Sequence, residues 1–380
     1  MLINFDNSAT SYPKPKQVIN AVNFAVERCG GNAGRGGHRL SMISSEQVYS
    51  TRDTIANFFD ASSENVVFTQ NCTQSLNTAI FGTLNKGDHV VISCLEHNSV
   101  SRPIYYLSEN NYITYSVFNV GSTDTETIQN FKMALKSNTR LVVTTIGSNV
   151  TGQILPFKSI GEICQQRGIC YIADGSQGSG IIPISLKHDS INILCTSGHK
   201  SLYGSSSSGI LISDGKYKIR PLMFGGTGST STQLEQPNFL PDSLESGTLN
   251  IVGIVSLKSG IEFISNIGIN KIFEHEKKLC EIFINGIKDI PNIVIYRNST
   301  ANYLPIVSFN IDGVPSNELG EYLNSRGFCL RDGFHCSALA HAYLGTNNGT
   351  VRFSPSIFNT PKEVYLLVAT LKKFDYNIKN

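Results

Sequence analysis

Cys195-Thr196-Ser197-Gly198-His199-Lys200-Ser201-Leu202-Tyr203-Gly204 is the stretch on which the reading of this chain turns. Before it, Ile191 to Cys195 is a short apolar run of the length of a buried strand. Ser197 and Gly198 then make a small-residue turn that sets Lys200 at the strand's end. Burial behind such a lysine disfavours its ammonium form and leaves a usable amine nucleophile, whose natural product with a carbonyl is a Schiff base. A loop lysine taken alone is more often solvated, so the reading needs support from elsewhere.

Support comes first from the neighbouring strands. The run Gly168 to Ala173 reads as a strand and ends at Asp174-Gly175-Ser176-Gln177. A strand-end Asp upstream of a Schiff-base lysine is what pyridoxal phosphate requires, a carboxylate for its protonated ring nitrogen. Further strands are predicted at Val66–Thr69, His89–Ser93, about Ile113–Phe118, Arg140–Ile146 and Ile210–Ser213, with helices between most of them. This alternation predicts an α/β fold with a mostly parallel sheet between helices. Thr73, His97, Asn149, Asp174 and Lys200 all fall just past strand ends. Ligands of such sheets bind at the carboxyl ends of the strands, so these side chains are expected to share one crevice. Asn71-Cys72-Thr73-Gln74 opens a helix there, and free N–H groups at a helix start attract anions. A plain N-cap would explain Thr73 equally well.

Composition leaves room for this reading. The chain has 380 residues, 40% hydrophobic and 16% charged, with a net charge of +2. At roughly 100–200 residues per domain this is about two domains. The charge balance calls for neither a nucleic-acid nor a membrane partner. No apolar run reaches transmembrane length, and the N-terminus lacks the pattern of a signal peptide, so a cytoplasmic location is expected. The nine cysteines show no disulfide framework and no metal-ligand spacing.

With these residues in view, Asp174-Gly175-Ser176-Gln177 followed by Ser197-Gly198-His199-Lys200 resembles the cofactor signature of class V, fold-type I pyridoxal phosphate enzymes. The branch it is most similar to is that of the cysteine desulfurases and selenocysteine lyases, SufS-like in its motifs. The resemblance runs in order from Asp6 to Thr360 and implies a large domain built on a seven-stranded sheet plus a small α+β domain. It implies that Lys200 carries pyridoxal 5'-phosphate, that Asp174 pairs with the ring nitrogen, and that His97 stacks on the ring as an acid/base. Cys72, Thr73, Asn149, Gln177, Ser197 and His199 are implied cofactor contacts. Thr248, in Glu245-Ser246-Gly247-Thr248-Leu249-Asn250, is implied to reach the cofactor phosphate of a second subunit, and hence a homodimer. Asn7 and Ala9, in Asp6-Asn7-Ser8-Ala9-Thr10, and Arg35, in the glycine-rich stretch Gly30–Ser41, are implied to lie near the substrate, as is Asn149.

Two stretches depart from the family pattern. Asn71-Cys72-Thr73-Gln74 stands where Gly-Thr-Thr-Glu is usual. Ser205 to Ser208 replaces a glycine-containing run; serine adopts positive φ at a cost, so this loop is expected to be shifted or more mobile.

The C-terminal part holds the second chemical feature. A long helix is predicted from about Val252 to Asn285, then strands near Ile293–Tyr296 and Pro305–Ile311, and helices near Ser316–Ser325 and Pro361–Lys373. Between the last two helices lies Arg331-Asp332-Gly333-Phe334-His335-Cys336-Ser337-Ala338. A cysteine in a turn beside an arginine is favoured as a thiolate. The run resembles the segment whose cysteine takes sulfur in the SufS-like desulfurases. Gly349-Thr350-Val351-Arg352-Phe353-Ser354 resembles the segment whose arginine grips the substrate carboxylate, a task suited to its planar fork. The expected layout is an arm at 1–15, a large domain at 16–255 and a small domain at 256–380. The expected reaction is conversion of L-cysteine to L-alanine, with a Cys336 persulfide passed to a sulfur-acceptor protein. Selenocysteine lyase, a carbon–sulfur lyase and an aminotransferase are the alternatives.

Overall fold

The computed structural model describes residues 2–34, 36–298 and 300–374. Strand β1 (Ile3–Asn4) precedes helices α1 (Lys16–Arg28) and α2 (Arg39–Phe59). An alternating series follows: β2 (Val66–Thr69), α3 (Cys72–Thr83), β3 (His89–Ser93), α4 (Asn98–Glu109), β4 (Thr114–Phe118), α5 (Asp124–Ala134), β5 (Thr139–Thr145), α6 (Phe157–Arg167) and β6 (Cys170–Asp174). Strands β7 (Ile193–Ser197) and β8 (Gly209–Ser213) complete it. After a long connection come α7 (Ile251–Ile267), α8 (Ile269–Ile287), β9 (Ile293–Ile295), β10 (Val307–Ile311), α9 (Ser316–Ser325), β11 (Phe328–Cys329), α10 (Ala338–Leu344), β12 (Val351–Phe353) and α11 (Pro361–Leu371).

Seven strands form the central sheet in the order β2-β8-β7-β6-β5-β3-β4. All pairings are parallel except those of β8 with β2 and β7. This is the mostly parallel α/β sheet that the alternation predicts. Side chains of a strand point alternately to its two faces, and here both faces are buried. Val66 and Phe68 pack into one core while Val67 packs into the other; Tyr171 and Ala173 likewise oppose Cys170 and Ile172. A third core joins Phe5, Phe283, Phe309 and Phe353 beneath the smaller antiparallel sheet β12-β10-β9. Strand β1 pairs in parallel with β11, so the first residues are stitched to the C-terminal part.

Two expectations need correction. The stretch from Val252 to Asn285 is two helices, α7 and α8, bent by 81° at Gly268. Gly268 has φ +95°, a conformation that glycine reaches without a steric cost. Amphipathic periodicity continues across such a break, and so hides it. Among the described residues no single helix is long and apolar enough to cross a membrane. The Ser205–Ser208 loop, expected to be shifted or mobile, is tied down. Ser205 N–H donates to Ser256 Oγ at 2.9 Å, Ser207 C=O accepts from Asn250 at 2.8 Å, and Ser208 Oγ donates to Ser205 C=O at 2.6 Å. These bonds hold Ser207 in the left-handed region at φ +57°.

Candidate active site

Each side chain of the site is set by where a strand stops. β6 ends on Asp174, β7 on Ser197, and β5 two residues before Gly147; β2 and β3 lead into the starts of α3 and α4. The resulting cleft is lined by Cys72, Thr73, His97, Asn149, Asp174, Gln177, Ser197, His199 and Lys200, together with Ala9 and Arg352. The five strand-end residues therefore do share one crevice.

Asp174 is buried at 3% exposure, and its Oδ1 accepts from Ser176 N–H at 2.9 Å. Cys72 Sγ lies 3.6 Å from the same oxygen, and burial, then the Asp174 charge, push its thiol well up, so it stays protonated. Lys200 reaches into the cleft, and burial lowers its pKa against the opposing pull of Asp174. Its backbone is strapped by the N-terminal arm. Ser11 Oγ donates to Lys200 C=O at 2.9 Å, and Lys14 Nζ donates to His199 C=O at 2.8 Å.

His97 caps α4, its Nδ1 accepting from Ser99 N–H at 3.0 Å. With Nδ1 used as an acceptor, the ring proton sits on Nε2. Burial, then the Lys200 charge, lower its pKa to about 4, so the ring is neutral near pH 7 and donates from Nε2. Ser99 Oγ also meets Thr73 Oγ1 at 2.7 Å, which links the starts of α3 and α4. Asn71 caps α3 through Gln74 N–H at 3.0 Å. The first-turn N–H groups of Cys72 and Thr73 have no intrahelical acceptor and are the anion-attracting part of the helix. Next to His97, Glu96 is fully buried, and burial raises its pKa to about 8.

Arg352 is 1% exposed and pairs with Asp6. Gln177 spends its amide N–H on Ser8 C=O at 3.1 Å. Asn149 Nδ2 donates to His335 C=O at 2.7 Å and its Oδ1 accepts from Ser337 Oγ at 2.7 Å, so this side chain grips the turn that carries Cys336. Cys336 is exposed, with Arg331 Nη2 at 3.5 Å from its sulfur. Arg331 and His335 both line the cleft, which sets Cys336 at its mouth.

Other expected residues lie apart. Asn7 is buried outside the cleft wall, tying the arm to Ser354 C=O at 3.1 Å. Thr248 lines a different cleft, with Thr69, Ser208 and Asn250. Arg35 lies outside the described residues. Sequence reasoning missed the roles of Ser99 and Glu96 and the Asp6 partner of Arg352. Ser99 alone left a signal, a hydroxyl two residues beyond a strand-end histidine.

Known proteins resemble this chain over most of its length. The family model for class-V aminotransferases matches residues 3–367. A probable cysteine desulfurase of Methanothermobacter thermautotrophicus is 30% identical over 97% of this chain and 93% of its own. A cysteine desulfurase of Haloferax volcanii is 28% identical over 97% of this chain and 88% of its own. Among solved structures, the apo cysteine desulfurase of Thermococcus onnurineus superposes with a TM-score of 0.90 at 27% identity, covering 98% of this chain and 94% of that one. From the cleft at the strand ends to the full length of the match, the chain belongs to the class-V aminotransferase family.

Proposed function

We propose that this protein is a cysteine desulfurase that converts L-cysteine to L-alanine and loads the sulfur on Cys336 as a persulfide. One observation carries the reading: the exposed Cys336 is linked through Arg331 to the cleft that holds Lys200 and Asp174.

The family's cofactor is pyridoxal 5'-phosphate, which when bound supplies an aldehyde for an amine and a ring that draws electrons from the substrate's α-carbon. The residues present fit it. Asp174 offers a buried carboxylate for the ring nitrogen, and His97 a neutral imidazole beside it. The start of α3, with Ser197 and His199, offers donors for the phosphate. Gln177 and Asn149 complete the wall.

Arg352 binds the substrate carboxylate, with Ala9 and Asn149 nearby. Lys200 Nζ, whose pKa burial lowers, takes the α-proton. His97 orients the reacting groups as a donor from Nε2. Cys336 Sγ then attacks the substrate sulfur: an S–S bond forms, the C–S bond breaks, carbon keeps the electron pair and is protonated to alanine, and Cys336 holds the persulfide. A sulfur-acceptor protein takes the outer sulfur.

The same reading assigns an arm at 1–15, a large domain at 16–255 and a small domain at 256–380. It also assigns a homodimer in which Thr248 serves the neighbouring subunit. In support, the connection before α7 exposes Leu222, Met223, Phe224 and Leu234, apolar surface of the kind that a second copy covers. The described cysteines are all free, which fits a reducing, cytoplasmic setting.

Incubation with L-cysteine and reductant, assayed for sulfide and alanine together, tests the reaction. Equal amounts of both are expected from the wild type, and neither at a comparable rate from Cys336→Ala. Wild-type sulfide release by Cys336→Ala would rule out the persulfide step. Faster turnover of selenocysteine than of cysteine, unaffected by that substitution, would favour a selenocysteine lyase.

A further inference from the structure

The turn that presents Cys336 is an unfavourable one. His335 and Cys336 lie consecutively in the left-handed region, at φ +48° and +58°. Residues with a β-carbon rarely adopt this conformation, so the turn persists only where its surroundings hold it. From below, His335 Nε2 bonds Thr350 Oγ1 at 2.9 Å. From across the cleft, Asn98 holds it twice. Asn98 N–H donates to Cys336 C=O at 2.8 Å, and Asn98 Oδ1 accepts from Ala338 N–H at 3.3 Å. Asn98 is the first residue of α4 and follows His97 directly. One helix start thus carries the cleft imidazole and the brace on the sulfur-bearing turn, while Asn98 itself is not part of the cleft wall.

We propose that Asn98 is a positioning residue for sulfur transfer, bracing the left-handed Cys336 turn from the helix that carries His97. The inference rests on the desulfurase reading above. It separates two stages of the reaction: proton removal at the α-carbon needs Lys200 and the cleft, whereas S–S bond formation needs Cys336 Sγ held in place. Losing the brace slows the second stage and spares the first.

Graded variants test this. Asn98→Asp keeps an oxygen to accept from Ala338 N–H and should retain wild-type behaviour. Asn98→Ala removes the side-chain arm, and its persulfide formation should fall about three- to tenfold, the range for one net hydrogen bond. Asn98→Pro removes the N–H as well; proline is accepted at a helix's first position, and His97, at φ −68° and ψ 155°, already has the extended form required before proline. Its persulfide formation should fall further, by about tenfold or more.

Two rates are measured on each holoenzyme: Cys336 persulfide by mass spectrometry in a single turnover with L-cysteine, and exchange of the α-proton of L-alanine in deuterated water. The expected result is a graded loss of persulfide rate with exchange unchanged. Unchanged persulfide rates in both Asn98→Ala and Asn98→Pro would overturn the proposal, as would an equal fall in both rates. If Asn98→Pro fails to fold, Asn98→Ala against Asn98→Asp decides the question. A wild type that forms no Cys336 persulfide at all would instead sink the desulfurase reading.

Discussion

Asp6 and Arg352, 346 positions apart in the chain, form an ion pair with Oδ1 and Nη2 at 2.8 Å. Nη1 of the same guanidinium donates to Asn149 C=O at 2.8 Å, and its buried Nε has no partner among the described residues. The arginine is thus fixed from two sides at the cleft wall. Replacing it by lysine keeps the charge but loses the planar fork. Arg352→Lys should raise the KM for L-cysteine about ten- to a hundredfold, the loss of one charged hydrogen bond of about 1.5–3 kcal/mol, with kcat moving less. An unchanged KM would remove Arg352 from the substrate site.

Acid should destabilise the protein through its buried histidines. Burial, then Lys136, lower the pKa of His89 to about 4, and burial first also lowers His97 and His199 to about 4. In the unfolded chain these rings take up protons near pH 6.5, whereas in the folded protein they wait until about 4. Their contribution is therefore fully present above about pH 6.5 and is lost as pH falls toward 4. Urea unfolding across this range should show the decline. His89→Asn should take up nearly one proton fewer on unfolding near pH 5.5; an identical pH slope would contradict the assignment.

Cys336 is the exposed cysteine, Cys329 is half-buried, and the remaining cysteines are buried. Brief treatment of the native protein with iodoacetamide should place the first adduct on Cys336, with the rest reacting only on unfolding. Cys336→Ser should abolish that fast phase. A first adduct elsewhere would mean that the turn is not open to solvent.

Gly268 joins α7 to α8 at φ +95° and ψ 123°, with no atom within 4 Å of an added β-carbon. Gly268→Ala therefore introduces backbone strain without a clash. It should lower unfolding stability by about 1–3 kcal/mol, read from the denaturation midpoint, with the m-value unchanged. A neutral result would show that the two helices can realign.

The sheet was legible because its strands advertise themselves one by one. Val66–Thr69 and His89–Ser93 are centred on short apolar runs, Val66–Phe68 and Val90–Ile92. Lys200, Asp174 and His97 were legible because a chemistry-bearing residue just past a strand end has one place to go in a parallel sheet. The break at Gly268 was not, since a glycine inside an apolar helical pattern reads as a weak helix residue until its φ is known. The restraint on Ser205–Ser208 was hidden for a related reason: its partners, Asn250 and Ser256, lie on the far side of a long connection.

The sequence by itself determined the alternation of strands and helices from Val66 to Ser213, the class of chemistry at Lys200 and Asp174, and the two segments bearing Cys336 and Arg352. The alternation follows from local periodicity; the chemistry and the two segments follow from short motifs that resemble those of the family. Only the tertiary structure decided that Asp6 faces Arg352, that Asn149 and Asn98 hold the Cys336 turn, and that His97 carries its proton on Nε2. The first two depend on docking the first residues and the C-terminal layer against the sheet, and a hydrogen bond a few tenths of an ångström too long is lost. The tautomer depends on which way one N–H points. No pattern along the chain encodes either quantity.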